Sequence, residues 1–418
     1  MQYGAKPGLE RIFRLTELLG RPQHDFASIH IGGTNGKGST SLMLSRILTA
    51  SGYKTGMFVS PHLHSYRERM QINGVMISTA DLAFCLSRVD ELLPILAAEG
   101  FSHPTEFEVL TAAAFLYFSQ QQVEVAVIEV GMGGLYDSTN VINPLVSVIT
   151  NIEMDHTAFL GHTIAEIAVN KAGIIKPRIP VVTGETKPEA LKVLAAGARE
   201  KGAELLVAPE LVGIETRTGN IKGQELLVNY HGDQSQVDLG LPGTYQRENL
   251  AVVWVALDCL QQQGLVLSLT AVKQALKDCR WPGRLELISE DPMIILDAGH
   301  NEAGAKALQT AINELLPDRG IIVVAGILDD KDARAFIANM PTNTRAVVIT
   351  HPDSPRADNW RQKADLAREY FEQVYEVELI EQAVNLGLSL TRPEEALLVT
   401  GSFYVLDRAR KHLLKIVQ

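Results

Sequence analysis

The sequence predicts an α/β fold in which a P-loop ATPase-type domain with a mainly parallel central sheet is followed by a smaller, Rossmann-like α/β domain. Three observations predict it. A glycine-rich turn joins a buried strand to a helix near residue 35, and apolar strand-like runs alternate with amphipathic helices along most of the chain. The alternation then restarts after a break at Trp281-Pro282-Gly283-Arg284. Alternation of this kind is the mark of βαβ units and a parallel sheet, and Pro-Gly marks a turn. A chain of 418 residues exceeds one ordinary core, so domains are expected at 1–284 and 285–418.

The first strand runs from Phe26 to Ile31, and Ser41 to Thr49 reads as a helix whose Leu42, Leu44, Ile47 and Leu48 face the core. Between them lies Gly32-Gly33-Thr34-Asn35-Gly36-Lys37-Gly38-Ser39-Thr40. Strand, glycine turn and helix gather backbone N–H groups and a helix N-terminus around one point, an environment for phosphate. Lys37 would reach the outer phosphates, and Ser39 or Thr40 would hold magnesium. The loop departs twice from G-x-x-x-x-G-K-[ST]: Ile31 replaces the first glycine, and Gly38 separates the lysine from Ser39.

A short strand, Lys54 to Ser60, leads into the loop Ser60–Arg69 with its two histidines and two arginines, read either as a solvated loop or as part of a site. A helix is expected over Thr79–Ala98. Thr105 and Glu108 then have capping-box spacing ahead of the apolar stripe Phe107, Leu110, Ala114 and Phe118, which gives Glu108 a structural role. The strand Val123–Val130 carries Glu129 near its C-terminal end. A carboxylate is costly as core filling, and open α/β sheets bind ligands at that end of their strands. The strand Leu145–Thr150 likewise runs into Asn151-Ile152-Glu153-Met154-Asp155-His156, and His156 in the same rim as Glu129 and Ser39 is a candidate metal ligand.

The helix expected over Thr163–Lys176 has an apolar stripe of Ile164, Ile167, Ala168, Ile174 and Ile175 with Lys171 in its middle. Lys171 either snorkels at the edge of that stripe or needs a carboxylate partner, a lowered pKa or chemical modification. A neutral amine that takes up carbon dioxide becomes a carbamate, an anionic metal ligand. The segment Gly202–Gly240 has hairpin signals such as Thr218-Gly219-Asn220, and a strongly apolar helix follows Gly243-Thr244-Tyr245-Gln246-Arg247-Glu248-Asn249. Past the break, strands Leu285–Ile288, Met293–Leu296, 321–325, 346–350, 374–379 and 396–400 alternate with helices, with no second phosphate loop.

Composition narrows the function. A net charge of −11 with no lysine- or arginine-rich run argues against a nucleic-acid surface. No apolar span approaches the roughly 20 residues needed to cross a bilayer, so no membrane partner is expected. Lys6, Glu10, Arg11 and Arg14 precede any apolar run, so no signal peptide is expected. Cys85, Cys259 and Cys279 lack metal-ligand spacing and read as reduced thiols of a cytoplasmic protein. Nothing demands an oligomer, and a monomer is expected.

Taken in order, the motifs resemble those of the folylpolyglutamate synthase/dihydrofolate synthase family, a branch of the Mur-type ATP-dependent amide ligases. They are Gly33-Thr34-Asn35-Gly36-Lys37-Gly38-Ser39, Ser60-Pro61-His62-Leu63 with Tyr66, Glu68 and Arg69, Glu129-Val130-Gly131-Met132-Gly133-Gly134, and Asp137-Ser138-Thr139-Asn140-Val141. Further along stand Asp155-His156, Lys171-Ala172-Gly173-Ile174, Pro282-Gly283-Arg284, Asp297 with His300-Asn301, Asp330-Lys331-Asp332 and Thr400-Gly401-Ser402. The resemblance implies ATP on Thr34, Asn35, Gly36, Lys37, Gly38, Ser39 and Thr40, with adenine and ribose contacts at Asn249, Arg284, Asp297 and His300. It implies one magnesium ion at Ser39 and Glu129 and a second at His156 and a carbamylated Lys171. Lys37, Glu129, His156 and Lys171 would be catalytic, with Ser60, His62, Arg69 and Ser402 as substrate contacts.

The implied reaction adds L-glutamate to a folate or to dihydropteroate. A carboxylate and an amine do not condense in neutral water, so ATP would first convert the acid to an acyl phosphate, which the amine captures. Two other readings stand beside it: a Mur-type ligase acting on a UDP-muramoyl precursor, and a nucleotide-binding regulator without amide-forming activity.

Overall fold

The apolar runs between glycine turns assemble into three sheets in the computed structural model, which describes residues 8–417. The largest sheet has eight strands: β1 (Ala27–Gly32), β2 (Thr55–Phe58), β3 (Met70–Ile72), β4 (Val75–Met76), β5 (Val125–Glu129), β6 (Val146–Ile149), β7 (Val181–Thr183) and β8 (Leu205–Val207). Their spatial order is β4-β3-β2-β5-β1-β6-β7-β8. Pairing is parallel from β2 to β8 in this order, and the β2–β3 and β3–β4 pairs are antiparallel, so β3 alone among these strands runs against the others. Strands β5 and β6 are buried along their whole length, as continuous apolar runs covered on both faces require. In this order β1 lies between β5 and β6, so the loops after these three strands open at one edge of the sheet.

Helices α1 (Glu10–Leu18), α2 (Lys37–Ala50), α3 (Thr79–Asp90), α4 (Leu93–Ala98) and α5 (Glu106–Gln120) belong to this unit. One core joins Ile12 and Leu15 of α1 to Phe58, Phe115 and Phe118. A second joins Ile149, Ile167, Ile174 and Leu194, and involves α7 (Ile164–Ala172), which follows the single turn α6 (Thr157–Leu160). The carboxylate of Glu108 closes the expected capping box by accepting the Thr105 N–H at 2.8 Å, and it also pairs with Arg11 at 3.0 Å.

Four expected elements differ. The helix expected from Ser41 begins at Lys37, because Gly36 at φ +83° turns the chain directly into it. The helix expected over Thr79–Ala98 is two, since Pro94 has no N–H to donate and sits in the first turn of α4, where none is needed. The helix expected to reach Lys176 stops at Ala172 before Gly173 and Pro177, so Lys171 occupies its last turn rather than its middle. Finally, Thr218, Gly219 and Asn220 stay in β9 (Val212–Asn220). The chain reverses one step later, where Asn220 Oδ1 accepts the Lys222 N–H, and continues as β10 (Gly223–Tyr230) and β11 (Asp233–Leu239).

The third sheet comprises β12 (Glu286–Glu290), β13 (Met293–Leu296), β14 (Ile321–Ala325), β15 (Thr344–Thr350), β16 (Val374–Val377) and β17 (Ala396–Thr400), in the order β12-β13-β17-β14-β15-β16. Only the β12–β13 pair is antiparallel. Its core joins Leu308, Ile312, Val323, Phe336, Ile349, Trp360 and Leu398. Two compact units result: Met1–Glu215 with Leu227–Val237 and Glu248–Cys279, and Thr216–Leu226 with Asp238–Arg247 and Arg280–Gln418. Among the described residues no helix is long and apolar enough to cross a membrane.

Candidate active site

The loop after β1 is built for close backbone approach. A side chain at Gly33, whose φ is +130°, would meet Thr150 Oγ1 at 1.9 Å, and one at Gly36 would meet Asn249 Oδ1 at 2.2 Å. No side chain caps α2, so its first N–H groups point along the helix axis toward whatever lies beyond Gly36. Thr40, in the first turn, is buried and its hydroxyl has no hydrogen-bond partner, the kind of group that a ligand satisfies. Lys37 folds back over the loop and donates to the carbonyls of Thr34 (2.9 Å) and Gly33 (3.2 Å).

The loop after β6 forms the wall beside it. Thr34 donates its backbone N–H to the Asn151 carbonyl at 2.8 Å, and Asn35 donates its own to Asn151 Oδ1 at 2.8 Å. The Thr34 hydroxyl accepts the Glu153 N–H at 3.0 Å, and Thr150 donates to the Asn35 carbonyl at 2.6 Å. At the end of this wall His156 takes the left-handed conformation, φ +50°, with Nε2 4.0 Å from Asp155 Oδ2.

Glu129 sits where β5 ends, paired with Ile31, and only 3% of it is exposed. Its carboxylate accepts the Ser60 N–H at 3.3 Å, so the loop after β2 reaches the same edge. In that loop Arg69 donates to His62 Nδ1 at 2.9 Å and stacks over Tyr66. Glu68 is structural: it accepts the N–H groups of Leu63, His64 and Ser65, each at 2.8 Å.

Lys171 is the least expected member. It is 3% exposed, and its amine donates to the Gly33 carbonyl at 2.7 Å, the same oxygen that Lys37 uses. Burial, and then the Lys37 charge, push its pKa down to about 7, with Asp155 and Asp137 opposing. A snorkelling lysine would keep its head in water, so that reading fails here.

Sequence reasoning gave Asp137 no separate role. It is buried, and burial raises its pKa. It accepts the N–H groups of Met132 and Thr139, each at 3.0 Å, which fixes the glycine loop after Glu129. Its signal was available as an Asx cap ahead of Ser138-Thr139.

In the second unit Asp297, 4% exposed, accepts the N–H groups of Leu285 (3.0 Å) and Gly299 (2.8 Å), and burial raises its pKa while Arg284 opposes the rise. His300 Nδ1 is 3.0 Å from the Ala298 carbonyl, which only accepts, so that nitrogen carries the proton. Arg284 and His300 both lie against the Phe403 ring. Ser402 is buried, and its hydroxyl caps the helix Phe403–Ile416 by accepting the Val405 N–H.

Whether these residues fit the implied groups turns on the donor set. Among the described residues no three His, Cys, Asp or Glu side chains converge as a ready metal cage. A buried carboxylate at the mouth of a phosphate-type loop fits magnesium, which keeps waters and needs only one or two protein carboxylates. A buried amine with its pKa near 7 fits carbamate formation, because much of it is neutral at neutral pH.

Comparison with known proteins extends this geometry. A Mur ligase middle-domain model matches residues 31–257, and a Mur ligase glutamate-ligase-domain model matches residues 283–403. The chain is 35% identical to the dihydrofolate synthase/folylpolyglutamate synthase of Bacillus subtilis, over 99% of this chain and 96% of that one. It is 37% identical to the folylpolyglutamate synthase of Lacticaseibacillus casei, over 97% and 94%. The structure of Mycobacterium tuberculosis folylpolyglutamate synthase complexed with ADP superposes with a TM-score of 0.93 at 34% identity, over 99% and 96%.

Proposed function

The chain belongs to the folylpolyglutamate synthase/dihydrofolate synthase family of Mur-type ligases, and from that premise and its site we propose that it joins L-glutamate to a pterin acid, a folate or dihydropteroate. It is an ATP-dependent ligase. The observation that carries the assignment is the meeting of Lys37 and Lys171 on one carbonyl of the phosphate loop, with Glu129 at the end of the neighbouring strand.

The acid's carboxylate oxygen attacks the γ-phosphorus of ATP; the bond to the β-phosphate oxygen breaks, leaving ADP and an acyl phosphate. The glutamate amine then attacks the acyl carbon, inorganic phosphate leaves with the bonding electrons, and the amine proton passes to solvent. Phosphoryl transfer of this kind depends chiefly on positioning and charge compensation. The uncapped amides of α2 and the Lys37 ammonium hold the phosphates in place. Ser39 and Glu129 would hold one magnesium ion, and His156 with a carbamate on Lys171 a second; bound there, the ions supply charge neutralisation for the transferred group. Asn249, Arg284, Asp297 and His300 would contact adenosine. Ser60, His62 and Arg69, with Ser402, would contact the acid and the amino acid. Of these residues, Asn249, Arg284, Ser60, His62 and Arg69 fall with the phosphate loop in 1–284, and Asp297, His300 and Ser402 fall in 285–418; the enzyme would act as a cytoplasmic monomer.

Incubation with ATP, labelled glutamate and either dihydropteroate or a reduced folate, followed by mass analysis, tests the reading. A gain of one glutamyl residue and stoichiometric ADP are expected. ATP turnover stimulated only by UDP-muramoyl peptides would overturn it.

A further inference from the structure

Behind the wall formed by residues 150–156 stands a buried acidic group that the chemistry above does not use. Glu185 follows β7 and is 1% exposed. Its carboxylate accepts the Ile152 N–H at 2.6 Å through one oxygen, and through the other the N–H groups of Thr186 (2.8 Å) and Lys187 (2.7 Å). Lys187 completes a clamp: its ammonium lies 3.6 Å from Glu185 and donates to the Ile152 carbonyl at 3.1 Å and to Glu153 Oε1 at 2.5 Å. Both polar backbone groups of Ile152 are therefore held from behind.

The placement matters because of what flanks Ile152. Asn151 on one side and Glu153 on the other make the hydrogen bonds that hold Thr34 and Asn35 of the phosphate loop. A peptide with three pinned residues in a row has little freedom to rotate its amides. We propose that Glu185, supported by Lys187, is a positioning residue that fixes the nucleotide loop through Ile152, without touching nucleotide itself. The inference rests on the reading of residues 33–40 as the nucleotide site.

An amide of the same shape keeps one accepting oxygen for Ile152 but turns its NH2 toward the Thr186 and Lys187 N–H groups, whereas truncation removes the acceptor of all three. Outer-shell partners that orient a site affect its affinity by about 10- to 100-fold. Glu185→Ala is therefore expected to weaken MgATP binding about 10-fold by calorimetry and to raise KM for ATP, with KM for the acid substrate unchanged. Glu185→Gln, which keeps the acceptor for Ile152, is expected to bind MgATP more tightly than Glu185→Ala and less tightly than the unaltered chain. Lys187→Met, at a partly exposed position, is expected to fold normally and to show a smaller shift in the same direction, so a failure of Glu185→Ala to fold leaves the proposal testable.

Folded Glu185→Ala or Lys187→Met protein that binds MgATP as the unaltered chain does would overturn it. So would a loss of kcat in proportion to folded protein with both KM values unchanged. If the unaltered chain binds no MgATP, the nucleotide-site reading itself fails, which separates the two outcomes.

Discussion

Lys171 shows what burial does to a single amine. Its surroundings disfavour the ammonium, and the nearby Lys37 charge disfavours it further, so the pKa falls to about 7. In the unfolded chain a lysine titrates near 10.4, so between about 7 and 10.4 the unfolded state binds the extra proton. Stability therefore rises with pH through that window, and this contribution is lost as pH falls toward 7. In carbon-dioxide-depleted buffer, denaturant titrations of Lys171→Met protein are expected to show a flatter dependence over that window than those of the unaltered chain; an unchanged slope would mean that Lys171 titrates normally. Neutral amine is also the form that takes up carbon dioxide. Lys171→Ala is expected to be inactive and partly restored by small carboxylic acids that occupy the vacated space. Full activity without them would remove the carbamate from the scheme.

Among the elements, the entry to α5 shows how a local signal acquires a tertiary partner. Thr105 and Glu108 form a reciprocal cap that the four-residue pattern alone predicts. The same carboxylate is contacted by Arg11 of α1, 97 residues away. Glu108→Ala removes the carboxylate half of the capping box, while Thr105 Oγ1 still accepts the residue-108 N–H, and leaves a mostly buried guanidinium without its carboxylate, an expected loss of about 2–4 kcal/mol. Glu108→Gln keeps an acceptor for the Thr105 N–H and is expected to lose less. Denaturant midpoints of the two variants check the order, and equal loss would assign the stability to charge alone. The elements that sequence misjudged failed at their ends. Gly36 and Pro94 mark where α2 and α4 start, and each acts through one backbone position that an apolar stripe does not report.

For the molecule as a whole, the proposed adenosine contacts include Arg284 of the second unit. Arg284 is held there between Phe403 and the Asp297 field. Arg284→Ala is expected to weaken ATP binding while leaving the fold of both units intact, and calorimetry with unaltered affinity would remove Arg284 from the nucleotide site. Much of the architecture was legible in the chain itself. Apolar alternation identified the two α/β regions, glycine spacing marked the turn from β1 into α2, and the polar residues after Val130 and Thr150 marked the ends of β5 and β6. These are short-range signals, carried by backbone freedom and by the side-chain period of each element. Convergence of Lys171 on Gly33, 138 residues earlier, was not legible. Nor was the support of Ile152 by Glu185. Both depend on the strand order that sets β1 between β5 and β6 with β7 beyond, and order within a sheet is fixed by packing among distant segments, a property that no local stretch encodes.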